Sequence, residues 1–526
     1  MKRRVAAPLL LMALAGVIAA TFAWHTRHVW EDFYITYRVS KNLVLGHGLV
    51  YQVGERVHTF TSPLGVLLPA LTLWVTGGRS DAAALIGFQA LSIVAWAGSI
   101  AAVWVLCRRR WELSAGTSVV AVVLLLTDAK AVDFSVNGME TGFMLLFLAL
   151  FLLALQTRDT ARGWIHLGLA AAGLQWTRPD ACVVGVAVAA GFGLFSPQSL
   201  PGGDRRTGLV FLVKAAALAA ILYLPWIVFA AAYYGSPIPN TVVAKVQAFS
   251  GWAFDSWREW LRVPWLRGLG AAPLPIYAHM GGWPEAALVA GYYTSCVLGH
   301  WWLLPWADRR GRACSFGAFL FGLYLSQINL YPWYLPPASL LAILTAAFAM
   351  TDAARWLHRL GRARWVGPAC VGVGLVFAQL ALLVSTARQV KLQQSLIEGQ
   401  RAAIGLELKK HAQPNDRVFL ECIGYIGFHS GLKVLDYPGL SAPEVVRARR
   451  NIGDDWALLV RHFKPEWLVL RPGEVPKVNS PRYPEFAADY FVAGTFSRQR
   501  EIDTLRPFAG IDYLRYDQTF IVLHRR

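Results

Sequence analysis

The chain has 526 residues, of which 56% are hydrophobic and only 16% charged, with 22 Trp and 27 Phe. Soluble proteins average about 25% charged residues, which argues against a large water-soluble enzyme. Repeated apolar stretches of about 18 residues or more instead indicate an α-helical polytopic membrane protein. The net charge of +18 does not point to nucleic acid, because the basic residues cluster beside apolar segments, at 108–110, 205–206, 309–312 and 355–364; such clusters set membrane orientation.

Met1-Lys2-Arg3-Arg4 and the apolar run to Trp24 read as an uncleaved first helix, since no small-x-small site leads into a polar start. Apolar runs then predict about eleven spans, at 7–24, 82–106, 113–127, 140–156, 163–176, 181–196, 208–232, 284–304, 313–328, 333–351 and 366–386. The run 62–76 is short, opens with Thr61-Ser62-Pro63, and is read as interfacial or re-entrant. Only then do all the Arg clusters fall on the side of the N-terminus. The outer connections become 25–81, 128–139, 177–180, 233–283 and 329–332, together with everything after about 387. From there charge rises and strand-like pieces (Val418–Ile423, Leu432–Leu435, Trp467–Leu470, Phe520–Leu523) alternate with helical ones (388–410, 443–462). The expected organisation is a transmembrane domain, 1–386, whose first outer loop is 25–81, followed by an α/β domain, 387–526. Six scattered cysteines without a CxxC pair support neither a disulfide framework nor a zinc site.

The first outer loop carries Glu31-Asp32-x-Tyr34 and Arg38, then Asn42, Gly46-His47-Gly48, Gly54-Glu55-Arg56-Val57 and Thr59-Phe60-Thr61-Ser62-Pro63. A carboxylate at the edge of a low-dielectric slab can have its pKa raised toward that of a general base. Further along stand Asn137-Gly138-Met139-Glu140-Thr141, Thr177-Arg178-Pro179-Asp180, Tyr234-Gly235-Ser236-Pro237-Ile238-Pro239-Asn240-Thr241 with Lys245, and Tyr331-Pro332-Trp333-Tyr334. Gly424-Tyr425-Ile426-Gly427 and Asp436-Tyr437-Pro438-Gly439-Leu440 follow in the tail. In this order the motifs resemble the GT-C superfamily of glycosyltransferases, most nearly the mycobacterial terminal arabinofuranosyltransferases and a bacterial pilin arabinosyltransferase. The resemblance spans the first 345 residues and a patch near 420–440. It departs where Glu31 replaces the first Asp of an Asp-Asp pair and Asp180 shortens a Glu.

That resemblance implies a multi-pass protein of the bacterial inner membrane with a periplasmic tail domain. It would move a sugar, arabinofuranose by analogy, from a polyprenyl-phosphate donor to a hydroxyl on an envelope glycan, lipid or protein. Asp32 or Glu31 would be the catalytic base, and Arg178, Lys245 and Arg38 would hold the donor phosphate. Tyr34, Asn42, His47, Arg56, Thr61, Ser62, Glu140, Asp180, Asn240, Tyr331, Trp333 and Tyr334 would contact donor or acceptor. His25 and His28 beside Asp32 are too few ligands to imply a metal, and the need for a divalent ion stays open. The alternative is a transporter or flippase of lipid-linked sugars, whose hallmarks are internal repeats and charges at helix centres; the sequence shows no repeat between its halves.

Overall fold

The structure, a computed structural model, describes residues 2–157, 161–248, 283–326, 328, 331–359 and 366–526. Parts of the expected outer connections 233–283 and 329–332 and of the basic cluster 355–364 lie outside the described residues. Contacts divide the chain into two units. One comprises the described parts of Met1–Thr26, Gln89–Pro225 and Phe254–Arg388; the other comprises those of Arg27–Phe88, Trp226–Ala253 and Gln389–Arg526. Composition alone attached the first outer loop to the membrane domain, whereas its contacts group it with the tail.

The first unit is helical. Among the described residues of the whole chain, five helices are long and apolar enough to cross a membrane: Ala6–Thr26, Asp81–Arg110, Arg205–Tyr234, Pro336–Arg359 and Val366–His411. Several other expected spans form helices of only 12 to 15 residues, such as Ala115–Leu126, Thr141–Leu155 and Ala181–Phe195. At 1.5 Å per residue these fall short of a hydrocarbon core of about 30 Å, so the eleven full-length spans are not all found. With these helices the chain is a multi-pass membrane protein. Helix contacts are made close by small residues, as expected where lipid supplies no hydrophobic drive between helices. A Cβ at Gly191 of Ala181–Phe195 would come within 2.3 Å of the Ala313 carbonyl oxygen on Arg309–Leu325. The basic clusters also hold helix ends: Arg310 donates to the Trp111 carbonyl at 2.9 Å and Arg312 to that of Trp302 at 2.9 Å.

The second unit contains a five-stranded sheet. Its strands are β1 (Arg417–Leu420), β2 (Lys433–Asp436), β3 (Trp467–Leu470), β4 (Tyr490–Ser497) and β5 (Thr519–Arg525), in the order β2-β1-β3-β5-β4. β1 runs parallel to β2 and β3, and β5 is antiparallel to β3 and β4. β1 and β3, inside the sheet, bury nearly every residue, as central strands do, and the edge strand β2 is buried from Val434 to Asp436. β4 is an edge strand with Phe491 and Val492 exposed and a register shift between Val492 and Gly494; it is not among the strands expected from sequence. The helix expected at 443–462 is broken into Pro443–Ile452 and Trp456–Phe463 by Gly453 at φ 84°, and Asp455 caps the second piece through the Leu458 N–H at 3.0 Å. Leu64–Val75, the run read as non-spanning, is 12 residues long and too short to cross alone.

Candidate functional site

In the second unit the acidic doublet opens the helix Glu31–Val44, where an N-terminal turn favours negative charge. Both Glu31 carboxylate oxygens are engaged. Oε1 accepts the Gly424 backbone N–H at 2.7 Å and Oε2 pairs with Arg401 Nη1 at 3.1 Å. Burial, reinforced by the charges of Glu398 and Asp32, outweighs these two partners and raises its pKa from 4.5 to about 7. Asp32 is half-buried.

The glycines of Gly424-Tyr425-Ile426-Gly427 allow the loop to dock. A Cβ at Gly424 would sit 2.1 Å from the Glu31 carbonyl oxygen, and one at Gly427 2.1 Å from Tyr51 Oη. Tyr51 donates to the Ile423 carbonyl at 2.7 Å, and the Tyr34 ring lies 4.4 Å from that of Tyr425 and 4.9 Å from that of Phe428. Arg38 is buried under the short helix Tyr425–Ser430 and donates to the carbonyls of Gly427 at 2.7 Å and of Gly431 and Leu432 at 3.1 Å, as well as to Gln52 at 3.1 Å. A guanidinium so placed caps the carbonyl end of that helix, and its geometry is that of a docking residue.

Other expected residues turn to the backbone as well. Asn42 donates to the carbonyls of Val50 at 2.8 Å and Tyr51 at 3.1 Å, and Ser62 accepts the Gly65 N–H at 2.8 Å as Leu64–Val75 begins. Thr61 is half-buried beside Ser62, while His47 and Arg56 are exposed, Arg56 with its guanidinium 4.9 Å from the Tyr233 ring. Asn240 joins two motifs far apart in sequence: its N–H donates to the His58 carbonyl at 2.8 Å, and its side chain donates to the carbonyls of Gly439 at 2.7 Å and Leu440 at 2.9 Å. Lys245 is half-buried a little over one turn later on Asn240–Ala248.

The first unit gathers a second set. Arg178 pairs with Glu140 at 3.3 Å and Asp180 at 3.1 Å, and its guanidinium lies 4.6 Å from the Tyr334 ring. Tyr331 stacks on Trp333 with ring centres 4.6 Å apart. The spacing between motifs therefore did report proximity for Glu140, Arg178, Asp180 and Tyr334. Arg178 thus faces two carboxylates and an aromatic ring.

Sequence reasoning missed the residues behind Glu31. Arg401, on the helix Gly399–His411, also pairs with Glu398 at 2.8 Å and with Asp517, and Asp517 in turn pairs with Arg471, which holds Glu421 and Glu474. The only local signal was Glu398-x-x-Arg401, a helix-compatible pair. Its link to Glu31 spans 370 positions.

A family model described as a domain of unknown function (DUF8728) matches residues 388–518. The terminal beta-(1->2)-arabinofuranosyltransferase of Corynebacterium glutamicum is 30% identical over 255 residues, which is 45% of this chain and 36% of that protein. The chain thus spans little more than a third of the length of the curated relatives it matches. Among solved structures, the oligosaccharyltransferase AglB of Archaeoglobus fulgidus, in complex with an inhibitory peptide and a dolichol-phosphate, aligns with a TM-score of 0.55 at 13% identity, over 94% of this chain and 73% of that one. ArnT of Cupriavidus metallidurans, bound to undecaprenyl phosphate, aligns with a TM-score of 0.52 at 12% identity, over 98% and 97%. Taken with the apolar helices and the C-terminal sheet, these likenesses establish that the chain has the GT-C fold.

Proposed function

We propose that this chain is a membrane glycosyltransferase that transfers a sugar from a polyprenyl phosphate to an acceptor hydroxyl outside the cytoplasm. The observation that carries the reading is the docked acidic doublet: Glu31 is held at both oxygens, and Asp32 stands beside it in the same helical turn. Arabinofuranose is the sugar favoured by similarity to the arabinofuranosyltransferase, and a lipid phosphate donor by the polyprenyl phosphates in the two structural relatives.

Asp32 takes the proton of the acceptor hydroxyl, whose oxygen forms a bond to the anomeric carbon. The bond from that carbon to the phosphate oxygen breaks, and its electrons leave with the lipid phosphate. Such a leaving group needs little protonation but does need a cation beside its growing charge. Lys245 is the residue we assign to that role. Within the first unit Arg178 holds Glu140, Asp180 and the Tyr334 ring together, and Tyr331 stacks on Trp333. The acceptor is an envelope glycan, lipid or protein, and the tail domain lies on the periplasmic side with the first loop.

Mass spectrometry of envelope glycans and glycoproteins from a strain lacking this chain tests the reading. A pentose-sized increment should disappear and return with the wild-type chain but not with Asp32→Asn. An unchanged glycan profile refutes it.

A further inference from the structure

We propose that Arg401, with the Gly424 N–H, is a positioning element of the transfer site that clamps Glu31 and thereby aims Asp32, so that the C-terminal domain completes the site. The inference deepens the proposed function and rests on Asp32 being the base.

Three observations carry it. First, Glu31 is gripped at both oxygens by groups of the C-terminal domain, Gly424 and Arg401. A carboxylate with two directional partners has little rotational freedom left. Second, successive residues of a helix point about 100° apart. With Glu31 turned to the clamp, Asp32 projects from another side of the same turn, at a heading fixed by that contact. Third, Arg401 is itself immobilised. Its side chain is 7% exposed, with Glu398 at 2.8 Å and Asp517 as further partners. Asp517 and Arg471 extend the network to Glu421 and Glu474. Gln393 donates to Glu398 at 3.0 Å.

The charge count gives this network a purpose beyond packing. Two arginines face five carboxylates, of which Glu31, Glu398, Asp517 and Glu474 are at most 15% exposed and Glu421 is 39% exposed, and burying carboxylates in excess of their partners is costly. A stability-driven core would be apolar or balanced, whereas this one holds an acidic residue next to the base and supplies one guanidinium directly to it.

The test uses the full chain, purified in detergent or nanodiscs, with a polyprenyl-phosphate pentofuranose as donor. Arg401→Gln and Glu31→Ala should each lower kcat on the order of 10²-fold, the effect of a misplacement of about 1 Å, with donor KM changed by less than about twofold. Glu31→Gln keeps an acceptor for the Gly424 N–H and should lose less than Glu31→Ala. The double variant Arg401→Gln/Glu31→Ala should be no slower than the slower single variant, because both remove one clamp. Losses that multiply, or an Arg401→Gln enzyme with wild-type kcat, overturn the proposal. Should Arg401→Gln fail to fold, Arg401→Lys takes its place under the same criteria. A readout without transfer separates this inference from the proposed function: Arg401→Lys should move the Glu31-dependent step in the pH profile of thermal unfolding, and Glu31→Gln should abolish it. If no donor is turned over but that step behaves so, the transferase reading fails while the clamp stands; a step unaffected by Glu31→Gln refutes the clamp itself.

Discussion

Substituting Gly424 by Ala adds one methyl group at the place where the tail meets the first loop. Its carbon would lie 2.1 Å from the Glu31 carbonyl oxygen and 2.9 Å from the Glu31 Cδ. The nearest atom is backbone in the first turn of a helix, so it cannot rotate aside, and relief requires a separation of roughly 1 Å. Overpacking of this kind costs about 1–3 kcal/mol. The same movement stretches the Gly424 N–H bond to a carboxylate, a further contribution of about 1.5–3 kcal/mol if it is lost. We expect Gly424→Ala to lower stability by about 2.5–6 kcal/mol and transfer on the order of 10²-fold through displacement of the doublet. Thermal unfolding of the purified chain and initial rates of transfer measure both. Gly473→Ala is the control, because a Cβ there meets nothing within 4 Å. If Gly424→Ala matches Gly473→Ala in both assays, the docking of loop and tail described above is wrong.

Gly427→Ala should be destabilising in the same way, because its Cβ would lie 2.1 Å from Tyr51 Oη; Tyr51→Phe removes that atom, and unfolding of the double variant should recover part of the loss. Arg38→Met removes the guanidinium from the carbonyls of Gly427, Gly431 and Leu432 and should cost about 1–3 kcal/mol for each carbonyl left buried without a donor, seen as lower unfolding temperature and membrane yield. Stability should also depend on pH through Glu31. Its pKa is held at about 7 against an ordinary 4.5, so between those values the folded chain keeps a proton that the unfolded chain has lost. Stability therefore falls as pH rises through that window, by roughly 3 kcal/mol in all, and levels off above it. Glu31→Gln should flatten this slope in pH-resolved thermal unfolding.

Much of the site was legible because the motifs are local and chemically marked. Gly424 and Gly427 stood out as part of a tail motif of the family resemblance, and their reason is steric: each lies where a Cβ would strike the docked loop. Asn240 stood out in a Pro-rich run, and it ties that run to Gly439 and Leu440. What the sequence could not reveal were partners set by tertiary approach. Arg38 read either as a contact for phosphate or as a residue holding the acidic pair in place, and its four acceptors are supplied by Gln52 and by residues nearly 400 positions away. Arg401 lay unmarked within the helix expected at 388–410. Strand β4 was hidden because an exposed edge strand has no buried face to impose alternation. The span count was overread because apolar composition reports burial in lipid or protein alike, and helices such as Ala115–Leu126 bury residues against their neighbours at lengths too short to cross alone.

The central claim is that Asp32 is the base of a lipid-phosphate-dependent sugar transfer. The most direct measurement is the single-turnover rate of the purified full chain with a polyprenyl-phosphate arabinofuranose and an envelope-glycan acceptor, for wild type and Asp32→Asn at equal folded yield. The account predicts transfer by the wild type and a loss of at least about 10²-fold in the variant, with donor binding retained. Undiminished transfer by Asp32→Asn would contradict it.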